Sequence, residues 1–289
     1  MPTLQDVGVV VVNYHMNKSC TALVDDLLHN QGVSSNNLFV VDNSSNTDLQ
    51  LSLSALFGFE NVVVANNIGY GAAMNLGVSL LPEIVSTVVL LTHEVVLQEF
   101  AIRNLSVELT SLSSVAVLGP SLMKISDGEV WSFGGSFSGL RNIPHHNKSA
   151  LEASKNGVTW LDGACLVMSR DTWNQTDGFD IDFFLYFEDI DLCLRAVAAT
   201  GKRVSVSHEV IVWQEPGGNL TSKIVDESFP YLLIKHANYK ALVAWVFIRS
   251  LSIARSILNR SESPKNYFRI FAGVSKGINY RRRSKSHGR

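Results

Sequence analysis

Val7 to Asn13 is a valine-rich run without polar alternation, the pattern of a strand buried on both faces. Leu23, Leu27 and Leu28 then fall on one helical face and predict a helix from Ser19 to Asn30. Asn37 to Val41, Asn61 to Ala65 and Thr87 to Leu91 predict three more strands. Gly71 to Leu81 predicts a second helix, stopped by Pro82. This βαβα alternation implies a mainly parallel sheet with helices on its faces. Ligands bind such sheets beyond the C-terminal ends of the strands. Asn13, Asp42 and Glu94 fall at those ends.

The rhythm changes after about Val115. Val115 to Leu118, Glu129 to Phe133 and Thr159 to Met168 predict strands without clear helices between them, so the sheet should be mixed. Gly134 to Gly157, rich in Gly, Ser, Asn and His, predicts a long loop. Arg203 to Trp213 predicts one more strand, and from Pro230 onward the pattern is helical. Ala241 to Leu258 is apolar but interrupted by Arg249 and Arg255, which predicts an interfacial or packed amphipathic helix and not a span. The expected organisation is an α/β domain over residues 1–228 and a helical extension over 229–289.

Charge sharpens that division. Residues 229–289 hold 13 of the 24 Lys and Arg but only one of the 26 acids, Glu262, leaving 11 basic and 25 acidic residues for the rest. A basic tail on an acidic body suggests an anionic partner, either a membrane surface or nucleic acid. No nucleic-acid motif accompanies the charge, so nucleic acid is not expected. At 46% hydrophobic and 17% charged residues the chain is a folded globular protein. Its three cysteines are far apart, odd in number and form no CxxC pair, which suggests neither a disulfide framework nor a zinc site and fits a reducing cytoplasm. Met1 to Asp6 places no basic residue ahead of the apolar run, so no signal peptide is predicted.

The densest chemistry lies at Glu188-Asp189-Ile190-Asp191, directly after aromatic and apolar sequence. Carboxylates repel one another and desolvate badly, so such a cluster has a reason. It is either the acidic first turn of a helix or a general base beside a ligand site. No Walker A or GxGxxG motif follows the first strand. What remains is an ordered set of acids and amides, Asp42, Asn67, Glu94 and Asp189, which suits a nucleotide-diphosphate ligand.

Taken in order, these elements resemble the inverting family 2 glycosyltransferases of GT-A fold, in their bacterial rhamnosyltransferase-like branch. Val9 to His15 resembles the family's opening strand and nucleotide-facing tip. Val40-Val41-Asp42-Asn43-Ser44-Ser45 resembles its VVDNxS element, and Asn66 to Gly77 its NxGxxxAxNxG helix. Trp160-Leu161-Asp162-Gly163-Ala164 resembles the acceptor-side segment. Gly178 to Asp180, Phe183 to Tyr186 and Glu188 to Arg195 match the GFDxxFFLYxEDxDLCLR block. The likeness covers roughly residues 7–218.

The resemblance implies a mixed, mainly parallel sheet flanked by helices, with a C-terminal helical extension. It implies transfer of a rhamnose-like or galactofuranose-like sugar from a nucleotide diphosphate to a hydroxyl of a glycan or lipid-linked glycan. Asp189 would be the base, with Glu188 beside it. Asn13, Asp42, Asn67, Gly71 and Asn75 would bind the donor, and Trp160, Asp162 and Gly163 the acceptor. Glu94 would ligate Mg²⁺ or Mn²⁺. Two positions depart from the family: Thr92-His93-Glu94 replaces its Asp-x-Asp or Asn-Pro-Asp element, and Gln214 stands where it places a histidine. They keep open a catalytically silent nucleotide-sugar-binding or scaffold protein. Asp42 has a plain reading as a turn cap, Trp160 as a core residue, His93 as structural, and His145-His146 as either exposed loop residues or a lid. A lipid-linked acceptor and the basic tail together imply a cytoplasmic enzyme peripheral to the inner face of the plasma membrane.

Overall fold

The computed structural model describes residues 4–58, 60–215, 222–258 and 265–286. They form two compact units. The first comprises Met1–Ser136, His146–Ile181 and Glu188–Pro216, and the second Phe137–His145, Asp182–Phe187 and Gly217–Arg289.

The first unit begins with β1 (Val7–Asn13), α1 (Asn17–His29), β2 (Leu38–Asp42), α2 (Asp48–Phe57), β3 (Val62–Val64), α3 (Tyr70–Leu80) and β4 (Thr87–Thr92). It continues with β5 (Val96–Leu97), α4 (Ala101–Ser111), β6 (Val115–Lys124) and β7 (Val130–Ser132). The hairpin strands β8 (Gly135–Ser138) and β9 (Ile143–His146) follow in sequence, with their Phe137–His145 part belonging to the second unit, and then α5 (Ala150–Asn156). β10 (Cys165–Ser169), α6 (Arg170–Thr176), α7 (Glu188–Thr200) and β11 (Arg203–Gln214) complete it. The main sheet runs β3-β2-β1-β4-β10-β6-β11-β5, with β7 beside β6. β3, β2, β1 and β4 are mutually parallel, β10 is antiparallel to both neighbours, and β11 is parallel to β6.

Every residue of β1 is buried, as its unbroken valine run requires. α3 packs so closely on this strand that a Cβ on Gly77 would sit 2.3 Å from Val10 Cγ1. The chain steps outward from β1 to β2 and β3, then crosses back to β4 on the other side. A crevice for ligands forms at such a reversal. Register brings the strand ends level there, with Asn13 opposite Asp42 and Val12 opposite Thr92.

The structure corrects three sequence expectations. Gly134 to Gly157 is not a plain loop: it holds β8, β9 and α5, the last capped by Ser149, whose hydroxyl accepts from the Glu152 N–H. The strand expected from Thr159 begins only at Cys165, because Trp160 bridges to Gly135 and the chain then turns through Asp162 and Gly163. α5 and α6 lie between the later strands, where short polar helices gave no clear apolar period.

In the second unit, α8 (Ser222–Lys235), α9 (Tyr239–Leu258) and α10 (Lys265–Ser286) join the segment Asp182–Phe187. α8 runs through residues 228 and 229 and carries Pro230 in its interior. Its aromatic core pairs Phe183 with Tyr231, Phe187 with Phe229, and Phe229 with Trp245 at centroid separations of 4.7, 5.1 and 5.5 Å. Arg249 on α9 points inward and binds Asp226 on α8 through both carboxylate oxygens, at 2.7 and 2.8 Å. α10 crosses α8 at Gly273 and Gly277, where added Cβ atoms would meet Glu227 O at 2.1 Å and Ile234 Cβ at 2.7 Å.

Candidate active site

At the tips of β1 and β2, Asn13 Nδ2 donates to Asp42 Oδ1 at 3.0 Å and to Asn17 Oδ1 at 3.1 Å. Asp42 Oδ1 also accepts the Ser44 N–H at 3.1 Å. The neighbouring Asn43 holds the loop before α3: its Nδ2 donates to Asn67 Oδ1 at 3.3 Å and Gly69 O at 3.2 Å, and its Oδ1 accepts from Ile68 N at 2.9 Å. That loop delivers Tyr70, the first residue of α3, whose hydroxyl donates to Gly163 O at 2.5 Å. Gly163 N in turn donates to Asp189 Oδ2 at 3.0 Å. Hydrogen bonds and the short backbone segments between them thus connect the predicted nucleoside end to the predicted base.

Glu188, Asp189 and Asp191 fill the first turn of α7, so the cluster is a helix start as well as a site candidate. The chain enters this helix through two consecutive aromatic residues in the left-handed region, Tyr186 at φ 66° and Phe187 at φ 73°. Bulky side chains are strained there, and such strain concentrates at functional sites. Both oxygens of Asp189 accept backbone N–H groups, Oδ1 from Ile190 at 2.8 Å and Oδ2 from Gly163. Burial and the nearby charge of Asp162 push the Asp189 carboxyl up to about 6, against the downward pull of those hydrogen bonds. Burial and the Asp189 charge push Glu188 well above the usual carboxylate range. Two neighbouring buried carboxylates resist ionising together, so burial and the Asp189 charge both favour the neutral form of Glu188. Asp191 is different: fully buried, it pairs with Arg195 at 2.7 Å, and Arg195 also donates to Thr176 O.

The acids converge on Tyr70. Its hydroxyl is pushed well up by burial and then by Glu188, Asp189, Cys165 and Glu94. Glu94 follows β4, in a turn whose Thr92 N–H donates to Ala164 O at 3.1 Å. Its Oε2 lies 3.3 Å from His93 Nε2, and burial raises it more than His93 lowers it. Among the described residues no three His, Cys, Asp or Glu side chains gather as metal ligands. Glu94 offers one carboxylate with His93 beside it, so a divalent ion there would need phosphate oxygens and water to complete its shell. Gln214 ends β11, is buried, and its carbonyl accepts from Ile125 N.

Several predicted site residues make structural contacts. A Cβ on Gly71 would lie 2.8 Å from Phe179 Cβ. Asn75 clasps the Phe179 backbone, donating to its carbonyl at 2.9 Å and accepting its N–H at 2.8 Å. Trp160 is buried, with Nε1 donating to Ser136 O at 3.2 Å. Sequence reasoning offered His146 as an exposed loop residue or part of a lid and missed its pairing with Asp162. Its Nε2 lies 2.7 Å from Asp162 Oδ1, with its ring between Trp131 and Trp160 at 4.7 and 5.0 Å. Burial raises Asp162, but the hydrogen bond and charge of His146, together with Ser132 and Trp131, outweigh it and hold that carboxyl below its usual range. Tyr70 was legible only as the middle of a short Gly-Tyr-Gly.

The sheet order and a site at its reversal define a nucleotide-sugar transferase of GT-A fold. Solved structures agree. Staphylococcus aureus TarS 1–349 superposes with a TM-score of 0.59 at 14% identity, covering 96% of this chain and 82% of that one. GalNAc-T7, solved with UDP, GalNAc and Mn²⁺, gives 0.58 at 13% identity over 81% and 51%. The mannosyltransferase PcManGT of Pyrobaculum calidifontis, solved with GDP-Man and Mn²⁺, gives 0.53 at 12% identity over 97% and 75%. Residues 4–227 match the family described as glycosyltransferase like family 2, and the chain belongs to it. An N-acetylglucosaminyl-diphospho-decaprenol L-rhamnosyltransferase of Mycobacterium tuberculosis is 30% identical over 124 residues, a stretch that is 40% of each chain.

Proposed function

We propose that this glycosyltransferase inverts the anomeric centre as it moves a rhamnose-like or galactofuranose-like sugar from a nucleotide diphosphate to a hydroxyl of a glycan or lipid-linked glycan, with Asp189 as general base. The observation that carries this reading is the Asp189 carboxylate. It is oriented by two backbone N–H groups, raised to about 6, and neighboured by Glu188, which burial and the Asp189 charge push well above the usual carboxylate range. A base is most effective when its pKa lies near the working pH. Asp189 takes the acceptor proton as the acceptor oxygen bonds to the anomeric carbon. The bond from that carbon to the diphosphate oxygen breaks on the opposite face, through an oxocarbenium-like transition state.

Asn13, Asp42 and Asn67 face the nucleoside in this reading, while Gly71 and Asn75 act by fixing α3 against Phe179. Asp42 Oδ2 makes no hydrogen bond among the described residues and so keeps an acceptor for a base N–H or ribose hydroxyl. The carboxylate is fully covered, so nucleoside contact requires the adjacent turn to yield. Asp162 and Gly163 flank the acceptor, with Trp160 shaping their turn from the core. A divalent ion at Glu94 would screen the charge on the departing diphosphate. The mycobacterial relative's name specifies a diphospho-decaprenol acceptor. That supports a lipid-linked acceptor here, and with it peripheral association through the basic C-terminal region on the cytoplasmic side. No described helix is long and apolar enough to cross a membrane.

The test is a panel of UDP-, dTDP- and GDP-linked sugars. It is read as a thermal shift for binding, as released nucleoside diphosphate for turnover, and by NMR of the product's anomeric centre. The reading expects one donor class to stabilise the fold and turn over with inversion. Retention of configuration would overturn the single-base mechanism.

A further inference from the structure

α9 is built inside out. Its inward face holds Ala241, Trp245 and Ile253 together with the charged Arg249, which Asp226 neutralises. Its outward face carries Tyr239, Val243, Phe247 and Leu251, spaced four residues apart along one stripe. Val243 is 69% exposed and Phe247 65%. A surface helix normally turns such residues to the core and its charges to water. Lys240 and Arg255 stand exposed at the two ends of the same face. α10 repeats the arrangement, with Phe268 at 74% and Phe271 at 68% exposure in its first half and exposed Arg282 near its end. Contiguous exposed apolar surface marks an interaction site.

The charge chooses the partner. Glu262 is the only acid among residues 229–289, against 13 Lys and Arg. A second copy docked face to face would bring like charges together at both ends of the stripe. A bilayer containing anionic lipid offers an apolar layer for the stripe and negative headgroups for the basic side chains, which extend from a partly inserted helix to reach them.

We propose that the outward faces of α9 and α10 are a membrane-docking surface, with each helix lying along the interface. Val243, Phe247 and Leu251 enter the acyl boundary while Lys240 and Arg255 engage anionic headgroups. The inference rests on the peripheral association proposed above and deepens it. The apolar anchor is α9, and the terminal arginines add electrostatic attraction.

Co-sedimentation of the full chain with vesicles tests it, comparing pure phosphatidylcholine with a phosphatidylcholine–phosphatidylglycerol mixture. The wild type should pellet with the anionic vesicles and less so as salt rises. Phe247→Ser with Leu251→Ser should lower the bound fraction by roughly tenfold without changing the melting temperature, because both side chains are already exposed. Lys240→Ala with Arg255→Ala should weaken binding to the anionic mixture only. Three results overturn the inference. If the α9 double variant binds as the wild type while Arg281→Ala, Arg282→Ala and Arg283→Ala together abolish binding, peripheral association stands and this surface is wrong. If the wild type binds neither vesicle, both ideas fail, and turnover of a water-soluble acceptor still reports on the glycosyltransferase reading separately. If light scattering shows a dimer that the α9 variant dissociates, the face joins two copies instead.

Discussion

Asp189 Oδ2 accepts the Gly163 N–H at 3.0 Å, and Gly163 is held from its other side by the Tyr70 hydroxyl on its carbonyl. The proposed base on α7 is therefore oriented by the turn before β10 and by the first residue of α3. Three segments far apart in sequence meet at one residue, Gly163. A carboxylate fixed in this way meets the positional demand that general-base catalysis makes on a side chain.

Acid should switch the enzyme off before it unfolds it. Asp189, raised to about 6 chiefly by burial, works only when ionised, so turnover should fall as pH drops through about 6. Its effect on stability has the opposite sign. A carboxyl whose folded pKa exceeds its unfolded one, about 3.9, binds its proton more tightly when folded. It lowers stability as pH rises from about 4 to about 6, and Glu188 acts in the same direction. Asp189→Asn should therefore melt higher than the wild type at pH 8 and level with it at pH 4. Equal melting temperatures at both pH values would show that Asp189 titrates normally.

Asp162 supplies part of that upward push, second to burial. Asp162→Asn should move the acidic limb of the pH–rate profile to lower pH. A limb that stays in place would mean that Asp162 acts only in shaping the turn.

Much of this site was legible in the chain, and what was not has a common cause. The valine runs of β1 and β4 announce strands buried on both faces, and their polar ends announce the crevice, because both signals are local. The acid cluster reads as either a helix start or a general base, and the structure shows the helix start with Asp189 buried and hydrogen-bonded within it. The role of His146 was not legible because its partner, Asp162, lies 16 residues away and meets it only once β8 and β9 have folded back as a hairpin. Arg249 reads as a polar break in an apolar helix, yet it points inward to Asp226, 23 positions earlier. Long-range pairing of charges leaves no periodic trace. Gly71 and Asn75 carry the same lesson: the motif is visible, but only packing shows both gripping Phe179.

The altered metal element makes its own prediction. Glu94 brings one carboxylate with His93 at its side, so Glu94→Gln should raise the Mg²⁺ or Mn²⁺ concentration for half-maximal activity by roughly tenfold or more. Metal titration of both proteins measures it. Wild-type activity undiminished by a chelator would remove Glu94 from any ligand role.

Packing in the helical unit is also open to test. Gly273→Ala would place a Cβ 2.1 Å from the Glu227 carbonyl oxygen. Backbone cannot swing aside as a side chain can, so α10 must lift from α8, at a cost of about 1–3 kcal/mol. Denaturant unfolding should show that loss, and an unchanged midpoint would contradict the close crossing.

The central claim is that Asp189 removes the acceptor proton, and steady-state turnover of Asp189→Asn tests it most directly. With the donor identified by screening, the variant should still be stabilised by that donor. Its rate of sugar transfer should be lower by about 10²–10⁴-fold. Turnover equal to the wild type, with donor binding intact, would contradict the assignment.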